Sequence, residues 1–101
     1  SIPNSINDNK YHFKKNCILN QIYPNPFSNL ITIEFELKQP EKITITIYNH
    51  LGEQIEMKER KHSQGKQQVV WNAEGLPAGI YFCVLKTNPA SAGQTIKMIK
   101  L

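Results

Sequence analysis

Apolar and polar residues alternate with period two along most of this chain. In Leu30–Leu37 the residues Ile31, Ile33, Phe35 and Leu37 fall on one side and Thr32, Glu34 and Glu36 on the other, as in a strand with one buried face. Ile43, Ile45 and Ile47 alternate with Thr44, Thr46 and Tyr48 in the next segment, where β-branched side chains also lose too much χ1 freedom to favour a helix. Asn49-His50-Leu51-Gly52 then predicts a tight hairpin, with Gly52 free to take a positive φ, leading into a more polar strand that carries Gln54, Ile55 and Met57. The mixed charges of Lys58–His62, ahead of Ser63-Gln64-Gly65, predict a solvated strand end and a turn. Val69 and Trp71 mark a further strand. Ile80–Leu85 is apolar on both faces and predicts a central strand covered on both sides or buried against flanking loops. Gln94–Leu101 alternates less regularly, and Lys97 and Lys100 predict an edge strand there.

With a weaker strand over Ile18–Tyr23 the count is seven, separated by clusters of Gly, Pro, Asn and Ser, and no segment sustains a 3.6-residue apolar period. The fold class that follows is all-β, an Ig-like sandwich of about seven antiparallel strands in two sheets packed face to face. Residues 1–16 are polar and aperiodic, with Asn4, Ser5, Asn7, Asp8 and Asn9, and read as linker. The expected division is a linker over 1–18 and one domain over 19–101, and the missing initial Met suggests the tail of a longer protein.

Composition narrows the function more than it names it. The chain has 101 residues, room for one modest core, and no apolar run near the roughly 20 residues of a transmembrane helix. Twelve Lys and Arg against eight Asp and Glu give a net charge of +4, but the basic field is small and lacks interleaved aromatics, so no nucleic-acid partner is expected. Cys17 and Cys83 are too few for a disulfide scaffold and lack C-x-x-C spacing; they read as unpaired thiols with Cys83 in the core, or as one bridge if the chain is exported. His12, His50 and His62 stand apart, without a ligand-spaced neighbour, so no metal site is expected. The serines form no G-x-S-x-G elbow, the glycines no phosphate loop, and Glu34 and Glu36 are ordinary charges on the wet side of a strand. An enzyme is not expected.

Two stretches are unusual. In Tyr23-Pro24-Asn25-Pro26-Phe27 the prolines fix φ and restrict their preceding residues, which predicts a rigid corner anchored by Phe27 in the core. Trp71 is followed by Leu76-Pro77-Ala78-Gly79-Ile80-Tyr81, where Pro77 and Gly79 turn the chain and the Tyr81 hydroxyl is placed to bond back to the backbone, a tyrosine corner crossing between sheets. Taken in order, Tyr-Pro-Asn-Pro-Phe, Ile47-Tyr48-Asn49 leading to Gly52, Trp71, Leu-Pro-Ala-Gly-x-Tyr and a Lys-containing last strand resemble the C-terminal sorting domain of the type IX secretion system of Bacteroidota, over residues 19–101. The chain departs from the commoner pattern at Ser28-Asn29 and at Asn72-Ala73-Glu74, both still turn formers.

The resemblance implies a seven-strand Ig-like domain that needs no cofactor and does no chemistry of its own. It implies transit through the periplasm and recognition by outer-membrane type IX translocon and sortase components. Sortase cleavage and attachment of the passenger then lead to secretion or display on the surface of a Gram-negative cell. Under it, Lys97, Met98, Ile99, Lys100 and Leu101 are the candidate sorting signal, and Tyr23–Phe27, Gly52, Trp71, Leu76, Pro77, Gly79 and Tyr81 serve the fold. The alternative is an accessory Ig-like module, carbohydrate-binding or a spacer. A sugar site wants exposed aromatics in a row, and Tyr11, Phe13, Tyr23, Tyr48 and Phe82 offer no evident common platform in the sequence.

Overall fold

A computed structural model describes residues 16–87 and 93–101; the expected linker lies almost wholly outside them. Seven strands run β1 Cys17–Tyr23, β2 Leu30–Leu37, β3 Glu41–Asn49, β4 Gln54–His62, β5 Gly65–Asn72, β6 Gly79–Lys86 and β7 Gln94–Lys100. They form a three-stranded sheet ordered β1-β2-β5 and a four-stranded sheet ordered β4-β3-β6-β7, with every neighbouring pair antiparallel. The all-β sandwich read from the alternation is therefore the fold.

The core is what the period-two pattern dictates. Ile31, Ile33, Phe35 and Leu37 of β2 face Ile43, Ile45 and Ile47 of β3 and Tyr81, Cys83 and Leu85 of β6, all buried. Cys17, Trp71 and Met98 extend this layer toward the flanks. Both cysteines are buried and unbridged. The β3–β4 hairpin turns on Asn49, whose Oδ1 accepts from the backbone N–H groups of Leu51 and Glu53 at 2.9 and 3.0 Å, while Gly52 takes φ +83°.

Lys58–His62 is the solvated end of β4 that its charges predicted, paired with β3 from Lys58 opposite Ile45 to His62 opposite Glu41, and the chain turns at Ser63-Gln64 into β5. One expectation is corrected. β6 is central in its sheet, yet its second apolar face is not covered among the described residues: Ile80 is exposed and Phe82 and Val84 are half-buried. β7 is the edge strand that Lys97 and Lys100 predicted, and Lys100 is buried on it. It points inward and is 8% exposed, laying its methylene stem along the core while Nζ donates to the Leu101 carbonyl at 3.4 Å.

Candidate functional site

The corner between β1 and β2 and the outer edge of β7 form one unit. As an edge strand, β7 spends alternate backbone groups on β6 and leaves the others without a strand partner. The Pro-Asn-Pro-Phe corner supplies those partners. Asn25 Nδ2 donates to the Lys97 carbonyl at 2.9 Å, and Asn25 Oδ1 accepts from the Ile99 N–H at 2.9 Å. Two residues on, the Phe27 N–H donates to the Ile99 carbonyl at 2.9 Å and its own carbonyl accepts from the Leu101 N–H at 2.8 Å. One amide side chain thus imitates a short stretch of strand, and Phe27 continues it as a parallel bridge to Lys100. The prolines on either side of Asn25 donate no N–H and restrict the backbone, and both peptide bonds preceding them are cis.

Below this seam the aromatic residues of the sequence motifs converge. The Phe27 ring is buried 6.0 Å from the Trp71 ring, which in turn meets Tyr81 edge-on at 5.7 Å. The Tyr81 hydroxyl donates to the Pro77 carbonyl at 2.6 Å, closing the tyrosine corner over the crossing from β5 to β6. Trp71 Nε1 donates to Glu56 Oε1 on β4 at 2.7 Å, so one side chain spans the two sheets. Leu76 packs against the same core. Tyr23 is different: it is 37% exposed, with its hydroxyl accepting from Gln68 at 3.3 Å on the outside of the three-stranded sheet. Gly52 lies in the β3–β4 hairpin, at the opposite end of the sheet order from β7. The structure therefore joins Asn25, Phe27, Trp71, Pro77 and Tyr81 with β7, and leaves Tyr23 and Gly52 outside that cluster.

The five candidate sorting residues divide by the pleat. Met98 and Lys100 are core residues, whereas Lys97, Ile99 and Leu101 face outward and can be touched by another molecule. The double role of Asn25 went unread in the sequence, although a donor–acceptor side chain pinned between two prolines was the available signal. Glu56, the only acid in the otherwise uncharged Gln54–Met57 run, marked the Trp71 partner in the same way.

The chemistry of the described residues is quiet. Burial pushes the Cys83 thiol up to about 12, and burial followed by the nearby Glu41 carboxylate pushes Cys17 up to about 11, so both stay protonated and poorly nucleophilic near neutral pH. Among the described residues no three His, Cys, Asp or Glu side chains gather into a metal-holding group. His62 instead packs edge-on against Phe35 and shares a 3.2 Å hydrogen bond with Gln67. No helix is long and apolar enough to cross a membrane among the described residues. Of the aromatics left without a core place, Tyr48 and Phe82 are cross-strand neighbours, while Tyr11 and Phe13 lie outside the described residues.

No curated protein matches the chain. A family model does, over residues 21–100, a span that runs from within β1 to the last residue of β7 and takes in the corner, the tryptophan, the tyrosine corner and the seam. The match makes the domain a sorting signal of type IX secretion and implies an upstream passenger, the type IX machinery as partner, and export to the medium or the cell surface of Bacteroidota. By that match the chain belongs to the family of secretion system C-terminal sorting domains.

Proposed function

We propose that this domain is a folded address, inert as a catalyst, that is read in the periplasm by the outer-membrane translocon and later cut from its passenger by a sortase that fixes the passenger to the surface. One observation carries the reading: Lys97–Leu101 is held in a single conformation by the Asn25 and Phe27 bonds, which fixes the outward side chains Lys97, Ile99 and Leu101 for recognition. A free tail would have to be ordered by its receptor at an entropic cost; here the fold has already ordered it. Among the described residues the cysteine, histidine and carboxylate side chains offer no arrangement that asks for another role.

The test is export of a reporter fused ahead of the chain in a host with a type IX system. Deleting Lys97–Leu101 should drop the reporter in the medium and on the surface to the level seen without the domain. Export unchanged by that deletion would sink the reading. Mass spectrometry of the exported reporter reads cleavage separately: a mature form lacking the domain supports the sortase step, and an uncut form at the surface removes it.

A further inference from the structure

Both outer faces carry exposed apolar side chains, Ile18, Tyr23, Leu30 and Val70 on the three-stranded sheet, but only the four-stranded sheet sets such residues directly opposite one another. On the three-stranded sheet the central strand turns Thr32, Glu34 and Glu36 outward, and Gln21 donates to Glu34 at 2.7 Å, as expected of a sheet with one face in water. On the four-stranded sheet apolar residues occupy the middle and one end of the outward face, with Lys42, Thr44, Glu59, Lys61 and Lys86 at the other end. Met57 and Val84 flank Thr46 from either side and reduce its exposure to 8% although it points away from the core. Tyr48 stands opposite Phe82, and Ile80 opposite Ile99. Met57 is 54% exposed, Ile80 40% and Ile99 38%. This is the second apolar face of β6 that the alternation predicted to be covered, and among the described residues nothing covers it.

Two further features say what kind of molecule covers it. A mostly apolar notch of about 230 Å³ opens at one end of the face, between the β3–β4 hairpin and the Leu76–Gly79 loop, and Ile80 lines both the face and the notch. The rim is positive: among the described strand residues Lys42, Lys61, Lys86 and Lys97 point to this side against the carboxylate of Glu59, which already pairs with Lys42 at 3.7 Å. Lys42 and Lys61 even stand directly opposite each other across β3 and β4, a like-charge placement that weakens an isolated sheet. We propose that this face is a docking surface for a receptor protein that presents an apolar patch ringed by carboxylates and inserts one apolar side chain into the notch. The proposal rests on the export reading and names the surface through which the export machinery grips the domain, beyond Lys97–Leu101.

Each competing occupant fits less well. A second copy meeting face to face would set lysine rim against lysine rim. A bilayer would meet a level sheet in which Tyr48, Phe82 and Val84 are half-buried rather than projecting, and a fluid surface makes no use of a shaped notch. A firm protein surface uses the apolar rows, the notch and the rim together.

The experiment uses the same reporter fusion with substitutions that leave Lys97–Leu101 intact. Met57→Glu with Ile80→Glu places carboxylates on exposed positions and should lower export about tenfold or more, the loss typical of an interface centre. Reversal of Lys42 and Lys61 to Glu should lower it too, while their replacement by Arg retains it. Val70→Glu, exposed on the outside of the other sheet, should be exported like the unsubstituted fusion. Thermal unfolding of each purified chain confirms that the fold is kept. Full export of both the Met57/Ile80 and the Lys42/Lys61 Glu variants overturns the proposal and leaves the export reading standing; failure of the unsubstituted fusion to leave the cell overturns both. A dimer in sedimentation equilibrium that Met57→Glu with Ile80→Glu disperses would assign the face to a second copy instead. Binding to phosphatidylglycerol vesicles lost in the same variant would assign it to a membrane, and either result overturns the proposal.

Discussion

The two long sides of the sandwich are closed by different means. Where β1 meets β7, the chain laces the sheets together: Asn25 and Phe27 bond along the edge of β7, and Gln94 Nε2 donates to the Cys17 carbonyl at 3.2 Å. Where β5 meets β4, the gap is spanned by side chains alone, the indole–carboxylate bond from Trp71 to Glu56 and the His62–Gln67 bond. Beyond the first bond a groove remains, lined by Lys58, Arg60 and His62 over Ile43 and Val69. Those three side chains share the inward face of β4 with Glu56, and inward charges protect an open strand edge against pairing with a stray chain. One edge is guarded by covering it and the other by charging it. Only covering fixes the conformation of the strand it covers, and the covered strand is the one that carries the candidate signal.

Substitutions at each closure break or sharpen this contrast. The largest effect is expected from Phe27→Ala, which empties a fully buried aromatic site beneath the laced side and should cost about 3 to 5 kcal/mol in urea unfolding. Amide exchange should then speed up at Ile99 and Leu101 well before the β3 amides respond. Asn25→Ala removes two hydrogen bonds near solvent and should cost about 1 to 3 kcal/mol. Asn25→Asp separates the two halves of that loss, since a carboxylate still accepts from the Ile99 N–H but cannot donate to Lys97; an Asp variant as stable as the wild type would show that the donated bond contributes nothing. On the other side, Trp71→Phe should cost about 1 to 2 kcal/mol through loss of the bond to a carboxylate that water can reach. Its effect on β7 exchange should be slight. Equal loosening of β7 by the Trp71 and Asn25 variants would erase the distinction between the two sides.

Much of this was legible in the alternation. β2 and β3 bury the residues their period selects, and the Gly52 hairpin and the Tyr81 corner form where turn chemistry put them. What escaped was whatever depends on a partner far along the chain. Asn25 reads locally as a turn residue, and its two bonds reach 72 and 74 positions away. Lys100 reads as the charge of an edge strand, and nothing in the alternation shows that its stem is buried. The two-faced apolar character of β6 was read correctly as composition and wrongly as cover. Periodicity states which side chains avoid water in a finished assembly and not whether one chain is the whole assembly.

The lacing of Phe27 to Ile99 and Leu101 also orders events in time. The corner leaves the ribosome about seventy residues ahead of its counterpart, so until β7 follows Phe27 has no strand to lie against. A product interrupted before Lys97 keeps its passenger and most of its strands but has an uncovered aromatic and no finished edge. The corner and β7 are thus a single closure made from distant parts of the sequence: neither Phe27 nor the outer edge of β7 finds its partner until both segments are in place.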